Sequence, residues 1–169
     1  MASIVVMGVS GCGKTSFGET LATALHRPFI EGDALHPAAN IAKMSAGVPL
    51  DDADRWPWLD LVGRALGQAD GMVVSCSALK RIYRDRLRRA AGRDMVFVCL
   101  NLPRTVLEQR LHERKGHFMP PALLDSQLAT LELPTSEPDA LVLDATGPIE
   151  SDIEQTLTWL RGRRREQGE

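Results

Sequence analysis

The sequence predicts a three-layer α/β/α sandwich built on a parallel sheet. Two observations carry that expectation: short apolar runs alternate with amphipathic segments along the chain, and a glycine-rich turn follows directly on the first run. Strands that alternate with helices pair in parallel through right-handed crossovers, and a parallel sheet needs helices on both faces.

Ile4-Val5-Val6-Met7 is an uninterrupted apolar run ending at Gly8, as expected of a strand buried on both faces. From Thr15 to His26, the residues Phe17, Leu21, Ala24 and Leu25 share one helical stripe. Phe29-Ile30-Glu31 reads as a second strand that stops at Gly32-Asp33. His36-Pro37 opens a short helix through Met44, with proline in its first turn. Asp54 is the expected cap of the next helix, with Pro57 in the first turn and Leu59, Val62 and Leu66 as the apolar stripe. Met72 to Cys76 is a third strand, and Leu79, Ile82, Tyr83, Leu87 and Ala90 mark the helix after it. Met95 to Leu100 is a fourth strand, Thr105 to Glu113 a helix, and Ala140 to Leu143 a fifth strand. Ile149, Ile153, Leu157 and Leu160 give a last helix its apolar face. The 169 residues suffice for one domain spanning 1–169, and no internal repeat or low-complexity linker divides them.

Composition narrows the function classes. Lys and Arg total 20 against 22 Asp and Glu, a formal net charge of -2, which argues against a dedicated nucleic-acid binder. No apolar run approaches the ~20 residues of a membrane helix. Met1-Ala2-Ser3 leads into the first strand without a basic segment, so no signal peptide and a cytoplasmic location are expected. Cys12, Cys76 and Cys99 lack paired spacing and read as small buried or loop residues in a reducing compartment. The basic tail Arg161-Gly162-Arg163-Arg164-Arg165 suits the C-terminal end of a helix dipole.

Gly8-Val9-Ser10-Gly11-Cys12-Gly13-Lys14-Thr15 satisfies G-x-x-x-x-G-K-[ST] between a strand and a helix, the context this phosphate loop (P-loop) requires. Its glycines let successive backbone N–H groups turn toward phosphate oxygens, and the following helix, from Lys14, Thr15 and Ser16 onward, aims its positive end at the same place. The motif implies ATP with Mg²⁺: Lys14 reaches the β- and γ-phosphates, and the Thr15 hydroxyl coordinates the metal. A guanine reader of the form Asn-Lys-x-Asp is missing; Asn101-Leu102-Pro103-Arg104 does not match it. A phosphate acceptor other than water is therefore expected.

Ligands of open parallel sheets sit beyond the carboxyl ends of the strands. After the second strand come Asp33 and His36; after the third come Lys80 and Arg84, four apart on one helix face. Asp33 can accept a hydroxyl proton, hold a magnesium water, or merely cap a helix. Arg55 follows the acidic run Asp51-Asp52-Ala53-Asp54 and is either a surface ion pair or a ligand for an acid. Cations around an aspartate suit an anionic, hydroxyl-bearing substrate. Arg110 and Arg114 are also four apart, on the side opposite Leu107 and Leu111, and lead into Lys115-Gly116-His117-Phe118-Met119-Pro120-Pro121. This stretch, about 110–121, reads as a closing lid, with a solvated basic face as the plain alternative.

Beyond the phosphate loop, the blocks Glu31-Gly32-Asp33-Ala34-Leu35-His36-Pro37, Asn40-Ile41-Ala42-Lys43-Met44, Asp51 to Leu59, Cys76 to Asp85 and Arg114 to Met119 keep an order and spacing that closely resemble the gluconokinases of the small P-loop type, the thermoresistant-gluconokinase-like family. The resemblance runs from Ile4 to about Leu133 and more loosely to the end. It implies a kinase fold of the adenylate/shikimate kinase type with a mobile lid, a homodimer, and ATP-dependent phosphorylation of D-gluconate on its 6-hydroxyl. By position it implies Asp33 as base and hydroxyl binder, His36, Arg55, Lys80 and Arg84 as holders of the acid, His117 closing over it, and Arg110 and Arg114 in the lid. Ala53 departs from the family, which would have another acid there.

Overall fold

A computed structural model describes residues 1–114, 120–166 and 168. Five strands, β1 (Ser3–Met7), β2 (Phe29–Glu31), β3 (Val73–Ser75), β4 (Met95–Asn101) and β5 (Ala140–Asp144), form one parallel sheet in the order β2-β3-β1-β4-β5. Every residue of β1 and β3 and all but the last of β4 are buried, which requires cover on both faces. The α/β expectation holds.

The cover comes from α1 (Lys14–Leu25), packed with α7 (Ile149–Glu166), and from α3 (Asp52–Gln68), packed with α4 (Arg81–Ala91). Trp58, Leu59, Val62 and Leu66 of α3 are all essentially inaccessible, each contributing ~1.5–3 kcal/mol relative to exposure. Three smaller helices, α2 (Ala38–Ser45), α5 (Arg104–Glu113) and α6 (Pro121–Thr130), complete the order. The three cysteines are buried as expected, and burial pushes the Cys76 and Cys99 thiols up to about 12, so both stay protonated.

Three local expectations are corrected. Asp54 is not the cap of α3: Asp51 is, and the two aspartates form a reciprocal capping box in which each carboxylate accepts from the other's backbone N–H. Either aspartate is a good cap by type, and the reciprocal bonding decides between them. Pro57 consequently lies inside α3, beyond the first turn. α6 was not expected either; Pro121 at its first position and the buried Leu123 and Leu124 were its available signals.

The register sets the site. Glu31 pairs with Ser75, and Ser75 with Val6, so the ends of β2, β3 and β1 lie side by side under the phosphate loop. At Gly32 a Cβ would come within 2.0 Å of the Ser75 carbonyl oxygen, so only glycine lets the chain turn tightly over β3 into the short 3₁₀ turn Gly32–Leu35 that carries Asp33.

Candidate active site

The phosphate loop is held open by its backbone. Gly13, at φ 93°, is the N-cap of α1, and no side chain caps that helix, so its first N–H groups point free into the loop. Lys14 arches across, its Nζ donating to the Val9 carbonyl at 3.1 Å. α6 braces the loop from outside: Gln127 accepts from the Ser10 N–H at 2.7 Å and donates to its hydroxyl at 3.1 Å. Arg110 of α5 reaches the Cys12 carbonyl at 3.3 Å.

At the foot of the loop, the Thr15 hydroxyl donates to one oxygen of Glu31, whose other oxygen accepts from the Ser75 hydroxyl. These are hard oxygen donors. They suit Mg²⁺, which takes one or two protein oxygens and fills its shell with water and substrate phosphate. Among the described residues there is no cluster of three or more acidic, His or Cys side chains that could hold a metal ion.

A cavity of about 320 Å³ opens beside Lys14 and Ser10. Asp33 lines it with a largely exposed carboxylate, and His36 stacks face to face on Trp58 at 4.0 Å between ring centres. Trp58 is itself tied by its indole N–H to the Gly32 carbonyl at 2.9 Å. Burial chiefly lowers the His36 pKa below its ordinary 6.5; Asp33 opposes this and the Arg55 charge adds to it. Arg55 is buried, donating to the Leu50 carbonyl at 2.6 Å and the Tyr83 hydroxyl at 3.1 Å. Among the described residues no carboxylate lies within ion-pair distance of Arg55, so the surface ion-pair reading fails. Ile41 and Met44 of α2, and Leu111 and Arg114 at the end of α5, close the other sides.

A family model described as an AAA domain matches residues 4–134. The chain is 49% identical over 156 residues to the gluconokinase of Gluconobacter oxydans (strain 621H), covering 89% of this chain and 85% of that protein. It is 41% identical over 158 residues to the thermoresistant gluconokinase of Escherichia coli K12, covering 90% of each. The crystal structure of a gluconokinase from Sinorhizobium meliloti 1021 superposes with a TM-score of 0.91 at 51% identity, covering 98% of this chain and 95% of the other. The chain belongs to the gluconokinase family. Shikimate kinase from Aquifex aeolicus, at 16% identity and a TM-score of 0.61, shares the fold alone.

The residues expected to serve a gluconokinase site do not all meet in it. Asp33, His36, Arg55 and Arg114 line the cavity with Lys14, and Arg110 lies against the phosphate loop. Leu111 lines the cavity too, so Arg114 does not stand on a side opposite it. Arg84 is displaced: it is 1% exposed and paired with Glu137, and its remaining N–H groups go to the carbonyls of Ala78, Leu79 and Glu132. With every donor engaged inside the protein, it has none to offer a ligand. Lys80 pairs with Asp52 at 3.3 Å and does not line the cavity. His117 lies outside the described residues, as do the other residues of 115–119 within the expected lid.

Sequence reading missed Glu31, Gln127 and Tyr83. Glu31 carried a usable signal, as a lone acid ending an apolar strand next to the phosphate loop. Tyr83 had none: its hydroxyl donates to Asp52 and accepts from Arg55, linking residues 31 and 28 positions away.

Proposed function

We propose that this chain transfers the γ-phosphoryl group of ATP to the 6-hydroxyl of D-gluconate, giving 6-phospho-D-gluconate and ADP. The observation that carries the reading is the shared cavity: Lys14, an accessible carboxylate on Asp33, and the acid-free guanidinium of Arg55 all face it. Gluconate has a carboxylate at one end and a primary hydroxyl at the other. Arg55 takes the first through a charge-assisted hydrogen bond, and Asp33 aligns the second.

The hydroxyl oxygen attacks the γ-phosphorus, the bond to the β,γ-bridging oxygen breaks, and Asp33 accepts the hydroxyl proton late in the transfer. The uncapped N–H groups at the start of α1, within the loop from Gly8 to Ser16, hold the phosphates together with Lys14 and offset their charge. Thr15, with Glu31 behind it, holds Mg²⁺, which supplies further charge neutralisation when bound. Arg110 and Arg114, at the start of the segment expected to act as lid, add positive charge from above. A cytoplasmic homodimer is the expected assembly. Among the described residues no helix is long and apolar enough to cross a membrane.

A coupled assay of ADP release tests this directly. Gluconate should drive ADP release, and neutral glucose should be a far poorer acceptor, because it leaves the Arg55 charge without a partner. Comparable kcat/KM on the two would overturn the Arg55 assignment. No release with gluconate would overturn the function.

A further inference from the structure

Asn40 is 3% exposed, and its amide nitrogen serves two acceptors at once: the Asp54 carbonyl at 2.9 Å and Nδ1 of His36 at 3.3 Å. A backbone carbonyl can only accept, so the amide group facing Asp54 must be the NH₂. The second hydrogen of that NH₂ then meets Nδ1, which must offer its lone pair. In a neutral imidazole an accepting Nδ1 leaves the proton on Nε2. Nε2 is the ring nitrogen that approaches Asp33, 3.9 Å from its Oδ1. The ring cannot turn away, because Trp58 stacks on it at an interplanar angle of 16° and is itself anchored to Gly32.

We propose that Asn40 is a positioning residue: it holds His36 as the neutral Nε2–H tautomer, so that the cavity receives an uncharged hydrogen-bond donor beside Asp33. What that donor serves rests on the gluconate reading of the cavity; the tautomer does not. The charged groups facing the ring are Asp33 on the 3₁₀ turn and Arg55 on α3, while Asn40 on α2 and Trp58 on α3 are neutral. Burial and Arg55 together disfavour a second ring proton. The consequence is chemical. An imidazolium at this place would pair with Asp33 and weaken it as a proton acceptor, whereas a neutral donor orients a substrate hydroxyl and leaves Asp33 basic.

The nitrogen NMR shifts of the imidazoles in the full folded chain test the tautomer. The chain has only four histidines, and His36 is identified by the signals lost in His36→Gln. The native protein should show a pyridine-like Nδ1 and a pyrrole-like Nε2 at His36. Asn40→Asp, which sets an acceptor against Nδ1, should draw a proton onto that atom. A protonated Nδ1 in the native chain, or an Asn40→Asp spectrum identical to it, overturns the proposal. Kinetics give a second reading that holds even if Asn40→Asp does not fold. His36→Gln, whose amide N–H stands in for Nε2–H, should keep more kcat/KM for gluconate than His36→Asn, which replaces Nδ1; equal losses overturn the assignment. Where Asn40→Asp folds, it should cost about tenfold in kcat/KM in the native chain, the size of one hydrogen bond, and little in the His36→Gln background. Equal costs in both backgrounds would mean that Asn40 only braces α2 against α3. If gluconate is not phosphorylated at all, the functional reading falls while the NMR pattern still decides the tautomer.

Discussion

The Thr15 hydroxyl donates to Glu31, joining the residue after the phosphate-loop lysine to the last residue of β2. The bond exists because the ends of β2, β3 and β1 lie side by side, with Ser75 holding the other Glu31 oxygen. Glu31→Gln keeps the shape and removes the charge. It should raise the Mg²⁺ concentration needed for half-maximal turnover by ~10- to 100-fold, the usual effect of losing a group that supports a metal ligand. A Mg²⁺ titration at saturating ATP and gluconate measures it, and an unchanged midpoint would remove Glu31 from the metal's surroundings.

Asp33→Asn separates base from binder. Turnover with gluconate should fall by ~10²–10⁴-fold, the range for a general acid–base group, with ATP affinity little changed because the loop and Lys14 carry it. Turnover and nucleotide binding measured side by side decide the role. Preserved turnover with weakened gluconate affinity would make Asp33 a binder only.

Arg55 and Arg84 should fail in opposite ways. Arg55→Met should raise KM for gluconate by ~10- to 100-fold, the worth of a hydrogen bond to a charged group, with a modest change in unfolding free energy. Arg84→Met removes one of the two guanidiniums on the buried Glu137, leaving Arg88, and should cost about 3 kcal/mol of stability, with KM nearly unchanged in the folded fraction. Urea unfolding and gluconate titration of both variants check the contrast.

His36 predicts a pH dependence of stability. Its folded pKa lies below 6.5, so as pH falls through about 6.5 the unfolded chain binds a proton that the folded chain refuses, and stability drops. His36→Gln lacks this loss. Melting curves at about pH 7.5 and about pH 5.5 should therefore show a larger fall in Tm for the native chain than for the variant. Equal falls would mean that the imidazole is not held neutral.

The sequence alone determined the sheet and the phosphate cradle. Both are local: an apolar run reports burial on two faces within four residues, and the glycine spacing from Gly8 to Gly13 dictates the positive φ angles seen at Gly8, Gly11 and Gly13. It also pointed to Asp33, His36 and Arg55, since whatever follows the end of a parallel strand, or packs beside it, is brought to one edge. Tertiary structure alone decided which cations are free. Arg55 and Arg84 look alike in sequence, each near the start of a helix in a charged stretch. Arg84 is consumed by Glu137, 53 residues on, and Lys80 pairs with Asp52, while Arg55 donates only to neutral acceptors and lines the cavity, with Asp52 held one hydroxyl away by Tyr83. A charge is neutralised by whatever approaches it within a few ångströms, and that partner is chosen by the packing of distant segments, which no local pattern records.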